Sequence, residues 1–159
     1  MRQTKVRIGG RAEKGSIAVE TIFCLPILIL FLVVPLFFAR VFWYYSVAQK
    51  AAHDGARFLA SAPQFEIMPP AGGGARLPVA TLAEAIALEE LSDIRPALER
   101  YTITALCDLD ACGFEVPNTV RVSVRLKVRD EIFGPFTNQY FGEEALSLEA
   151  RVTMRYAGN

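Results

Sequence analysis

The stretch Lys14-Gly15-Ser16-Ile17-Ala18-Val19-Glu20 sets a carboxylate at the mouth of a long apolar run. Carrying such a group into lipid is unfavourable by up to ~3 kcal/mol at depth and by less near the interface. Glu20 therefore either reaches back to the headgroups or finds a specific cation once the protein assembles. One such cation would arise if the chain were cut after Gly15. Ser16 would then bear a free α-amine four positions from Glu20, about one helical turn away.

A second group is Cys107-Asp-Leu-Asp-Ala-Cys112, whose spacing fits a short disulfide loop. Zinc would need two further ligands, and only His53 or carboxylates are left to supply them. Asp108 and Asp110 are not followed by the ligand pattern of a calcium loop. Cys24 lies inside the apolar run and reads as a small apolar residue. The chain has one histidine, His53, which fits an exposed helix position better than a ligand. With no nucleophile–base pair and no phosphate-cradling loop, the expectation is a chain without catalytic residues, metal or cofactor, and not an enzyme.

Those residues need an element to hold them. Thr21 to Ala39 is nineteen residues without a charge. As a helix it would span about 28 Å, close to the ~30 Å hydrocarbon core of a bilayer. Trp43, Tyr44 and Tyr45 follow, where aromatic rings favour the headgroup zone, and Arg40 can snorkel to the same level. The composition is 52% hydrophobic and 21% charged, which excludes a disordered chain. Seventeen basic and seventeen acidic residues cancel, leaving no ordinary nucleic-acid footprint. The charge is uneven, because residues 1–15 hold five basic residues against Glu13. That bias keeps the N-terminus in the cytoplasm and sends the rest outside. A cleaved secretory signal fits poorly, since the core is long and no small-residue cleavage site follows it. Pro26 and Pro35 predict kinks or local unwinding of the helix.

Three blocks together resemble the TadE-like family of minor pilins, from the tight-adherence secretion system. Lys14-Gly-Ser-Ile-Ala-Val-Glu20 is similar to the family's opening, and Leu25-Pro26 falls at its Leu-Pro. Ala51-Ala-His-Asp-Gly-Ala-Arg57 is similar to its Ala-Ala-Arg-Glu-Gly-Ala-Arg signature. Thr21 departs, standing where the family usually carries an aromatic. The resemblance implies processing between Gly15 and Ser16 by a prepilin peptidase, with Glu20 as the assembly carboxylate. It implies other pilins or pseudopilins, an inner-membrane assembly platform and membrane lipid as partners, and no nucleic acid. The implied place is the bacterial inner membrane, single-pass, with a periplasmic head, or the cell exterior if the chain enters a fibre. The alternative is a permanently anchored periplasmic scaffold or binding protein that is never cleaved.

Beyond the aromatic residues the helix is expected to continue to Ser61. Ala48, Ala52, Gly55 and Ala56 form a small-residue stripe that would let another backbone approach, unless it reflects helix propensity alone. Lys50, Asp54 and Arg57 lie on the opposite face at ion-pair spacings. Pro63 to Pro78 reads as a loop. Thr81-Leu-Ala-Glu84 reads as a capping box opening a helix to about Asp93, with Pro96 closing it. Residues 120–128 and 146–156 alternate as strands, and a third strand is expected from Tyr101 to Cys107.

The fold class is therefore α+β: a long transmembrane and stalk helix, then a small head of one helix and an antiparallel sheet of about three strands. The divisions are a basic leader 1–15, a transmembrane helix 16–45, a stalk 46–62, a linker 63–78 and a head 79–159. The basic residues of the 120–128 strand are expected to form a solvated face paired with Glu149 and its acidic neighbours.

Overall fold

The computed structural model describes residues 13–68, 78–113, 115–129, 139 and 146–158. Leader residues 1–12 and linker residues 69–77 lie outside that set. The elements run α1 (Glu13–Ser61), α2 (Gln64–Ile67), α3 (Pro78–Glu90), a 3₁₀ turn (Arg95–Ala97), β1 (Leu98–Cys107), β2 (Thr119–Val128) and β3 (Ser147–Arg155). The architecture is α+β, as the patterning predicts.

α1 is a 49-residue helix whose assignment is unbroken through Pro26 and Pro35. Contacts divide the chain between Val41 and Phe42. In the first unit most of the large apolar side chains from Val19 onward are turned outward, with Phe23 70% and Phe31 75% exposed. This stretch is long and apolar enough to cross a membrane, and is compatible with a membrane anchor.

The second unit is built on the three-stranded antiparallel sheet β1-β2-β3, with β2 in the centre. Its register sets Ala105 opposite Val122 and Val122 opposite Val152, so alternate residues of all three strands share one face. Val120, Val122, Val124 and Leu126 of that face are fully buried. α1 and α3 cover them. The residues read as a stalk are thus the core helix of the head, with Ala48, Ala51, Ala52, Ala56 and Leu59 fully buried. A small three-stranded sheet needs such a covered apolar face for its stability.

Two local expectations are corrected. α3 starts at Pro78, three residues before Thr81, and ends at Glu90, not Asp93. Proline is favoured at the first helical position because its missing N–H has no partner there anyway. The capping box does not form. Thr81 Oγ1 donates to the Pro78 carbonyl (2.8 Å), and Glu84 accepts from the Ala105 N–H at 3.0 Å, which ties α3 to β1. The third strand starts at Leu98, three residues earlier than its alternation suggests, with a register irregularity between Leu98 and Arg100. Within the expected linker, α2 forms and buries Ile67 completely.

Candidate functional site

Gly15, Ser16 and Glu20 all fall in the first turns of α1. The Glu20 side chain is exposed, as are the apolar residues that follow it. The peptide bond between Gly15 and Ser16 and the carboxylate are thus carried on one continuous helix. That helix gives Glu20 and the backbone nitrogen of Ser16 an offset of about one turn.

The small-residue stripe sits elsewhere, inside the second unit. A Cβ added at Gly55 would lie 3.0 Å from the Ala83 carbonyl oxygen, 3.3 Å from Ala87 Cβ and 3.4 Å from Val122 Cγ1. Ala48, Ala52 and Ala56 are each fully buried beside it. Their small size lets α1 lie close to both α3 and β2. On the other side of α1 the ion pairs differ from those the spacing suggests. Lys50 Nζ pairs with Glu90 of α3, while Asp54 meets His53 Nδ1 at 3.3 Å. The Glu90 carboxylate holds the Lys50 ammonium above its ordinary pKa. Both partners are solvated, so the pair adds little stability. Tyr44, read as part of the aromatic belt, is buried in the second unit, with Trp43 stacked on it at 5.5 Å.

Cys107 and Cys112 are joined, with their Cα atoms 4.8 Å apart. Asp108, just inside the loop, has φ 56°, a left-handed conformation that aspartate tolerates better than most residues. Its Oδ1 accepts from the Thr119 N–H (2.9 Å) and Thr119 Oγ1 (3.0 Å), and its Oδ2 from the Asn118 N–H (3.1 Å). Those donors, led by the Thr119 and Asn118 N–H groups, hold the Asp108 carboxyl below its ordinary pKa. Asp108 therefore fastens the start of the loop to the start of β2. Sequence reasoning weighed this residue only as a calcium ligand; an aspartate eleven residues before a strand gives no local sign that it will clasp that strand. An open pocket lies beside the loop, lined by Asp108, Asp110 and Glu115 among others. Among the described residues no three His, Cys, Asp or Glu side chains are gathered as a metal set. Cys24 is free and exposed.

A second clasp, also unread in the sequence, joins the C-terminal residues to the end of α1. Tyr156 Oη donates to the Ala62 carbonyl (2.8 Å), and the Ala157 N–H to that of Ala60 (3.0 Å). A Cβ at Gly158 would fall 2.0 Å from the Ala62 oxygen, so only glycine fits there. Burial pushes the Tyr156 phenol above its ordinary pKa.

On the solvent face of the sheet, Glu149 takes Arg125 (3.1 Å) and Arg151 together, and Lys127 meets Glu99 at 3.5 Å. Arg151 foremost, then Arg125, holds the Glu149 carboxyl below its ordinary pKa.

Residues 15–57 match a family model described as TadE-like protein. The match begins at Gly15, takes in Glu20, the whole apolar segment and the buried small residues Ala48 to Ala56, and ends at the exposed Arg57. No curated protein and no solved structure matches the chain. The family is a structural one associated with the tight-adherence pilus.

Proposed function

We propose, with that match as premise, that this chain is a pilin-like structural component of a tight-adherence type pilus or secretion machine. It is held in the inner membrane by the first half of α1 with its head in the periplasm. A prepilin peptidase cuts between Gly15 and Ser16 on the cytoplasmic side. Loss of the basic leader then leaves Glu20 beside a new α-amine, and a neighbouring pilin's amine competes for the same carboxylate as helices leave the bilayer. The observation that carries this reading is the division of α1. The part of the helix before Val41 turns large apolar residues outward from Val19, and the part after Phe42 supplies buried residues to the core of the head.

Intact-mass analysis of protein extracted from membranes tests it. The expected product begins at Ser16, and Gly15→Leu should leave the fifteen-residue leader attached. Glu20→Gln should keep insertion and cleavage while losing crosslinks to partner pilins. An uncut wild-type chain would instead support the permanently anchored scaffold.

A further inference from the structure

We propose that copies of this chain associate head to tail through two faces of the second unit, the cation-rich outer face of the sheet in one copy meeting the acidic ridge formed by α3 and the turn after it in the next. The strand register places Arg100 and Lys127, then Arg125, Arg151, Arg121 and Arg155, on the outer face. Among the described residues, the carboxylates that reach these six are Glu149, shared between two arginines, and Glu99 at the strand irregularity. Arg121 Nε donates only to Thr153 Oγ1 (3.1 Å), and Arg100 and Arg155 have no ion pair among the described residues. Among the described residues this face therefore carries positive charge that its carboxylates do not cancel.

The counter-charge is on the same molecule but on another side. Residues 78–94 contain four acidic residues and no Lys or Arg. Glu84 is turned to the Ala105 N–H and Glu90 to Lys50. Glu89 at the end of α3 and Asp93 in the turn that follows it remain exposed without an ion pair among the described residues, with Asp93 near enough to Lys50 to help Glu90 raise its pKa. Leu82, 51% exposed, and Ala85 lie on the same outward stripe and supply an apolar centre. α3 packs on the buried side of the sheet, where a Cβ added at Gly55 would meet both Ala87 of α3 and Val122 of β2. One copy cannot bring its own two faces together; a second copy can. The patches differ, so the contact is heterologous and repeats along a row of molecules. Exposed ion pairs are individually weak and screened by salt. Confinement of the anchored chains to a bilayer raises their effective concentration, which is where several weak pairs acting together are enough.

The inference goes beyond the proposed function and uses none of Gly15, Ser16 or Glu20, so either can fail alone. The test uses full-length protein in lipid vesicles, with Cys24→Ser as background and Ala85→Cys or Ser123→Cys added singly. Oxidising a mixture of the two variants should give an 85–123 dimer at least tenfold above the 85–85 and 123–123 products. That yield should fall at least fivefold in 0.5 M salt. Arg125→Glu with Arg151→Glu on the Ser123→Cys chain should abolish it, as should Glu89→Arg with Asp93→Arg on the Ala85→Cys chain. Mixing the two reversed chains should restore it, and restoration excludes misfolding as the cause of the loss. Equal yields of all three dimers, indifference to charge reversal, or loss without restoration would overturn the proposal.

Discussion

The two halves of α1 obey opposite rules. Before Val41 the helix exposes its large side chains, Leu28 at 67% and Phe31 at 75%, and after Phe42 it buries small ones, with Ala48, Ala52 and Ala56 at 0%. In water the first arrangement would be an apolar patch far larger than monomeric proteins carry. In hydrocarbon it costs nothing, because lipid tails are as apolar as leucine. The second half faces another constraint. Its neighbours are a helix and a sheet of the same chain, and close approach of backbones gains dispersion contacts that long side chains would forbid. The two halves thus differ in what they expose and bury: large apolar side chains outward before Val41, and mostly alanines, with Tyr44 and Leu59, inward after Phe42.

Truncating a leucine on each side should break that comparison most clearly. Leu59→Ala removes a fully buried side chain and is expected to destabilise the head by about 2–5 kcal/mol. Leu30→Ala, 61% exposed, should leave head unfolding within about 0.5 kcal/mol of wild type. Thermal unfolding in detergent followed by near-UV circular dichroism measures both; equal losses would mean that the halves share one core. Next in size is Gly55→Val. Its Cβ meets a backbone oxygen at 3.0 Å, which cannot swing aside as a flexible side chain would. The expected cost lies toward the upper end of the ~1–3 kcal/mol typical of overpacking. Val33→Ile, in the first unit, should be silent in the same assay.

Much of this contrast is present in the sequence, and the residues show why part is not. Nineteen uncharged residues and the alternation of 120–128 are periodic signals that need no partner to be read. The stripe at Ala48, Ala52, Gly55 and Ala56 is equally visible, but its use is not. Spacing cannot distinguish a neighbouring molecule from α3 and Val122, more than twenty residues away in the same chain. Thr81 and Glu84 fit a capping box by spacing, yet tertiary demand took Glu84 for the Ala105 N–H. Gly15, Ser16 and Glu20 are the reverse case. Their meaning lies in a motif and in chemistry done by another protein, so the fold adds only their placement on α1.

The loop and the C-terminal clasp give smaller effects within the second unit. Closing the six-residue loop removes entropy from the unfolded chain, so Cys107→Ser with Cys112→Ser should lower stability by roughly 2 kcal/mol. Peptide mapping without reduction should recover the linked pair from wild type. Tyr156→Phe deletes one partly buried hydrogen bond and should cost about 1 kcal/mol. Its raised pKa means the unfolded chain ionises first, so stability should decline as pH rises beyond the ordinary tyrosine range, and the Phe variant should lose that decline.

The smallest expected effect belongs to Asp108, and its sign can be worked out. Asp108 is ionised more readily in the folded chain, where the Thr119 and Asn118 donors face it, than in the unfolded one. Between the two pKa values the unfolded chain binds more protons, so stability rises with pH there. The contribution is complete above the ordinary carboxylate range and disappears as pH falls through the lowered folded value. Glu149, held down by Arg151 and Arg125, adds a slope of the same sign, so wild type alone cannot separate the two. Asp108→Asn can. The amide keeps one acceptor for the Thr119 N–H but turns donors toward Asn118, so the variant should lose part of the acid slope and keep what Glu149 contributes. The effect should be local, because the clasp joins the Cys107–Cys112 loop to β2 and touches neither α1 nor α3. Amide hydrogen exchange at Asn118 and Thr119 should quicken in the variant while exchange at Ala52 and Ala56 stays slow. An unchanged acid slope, with unchanged protection at Thr119, would show that the disulfide alone holds the loop and that Asp108 is dispensable to it.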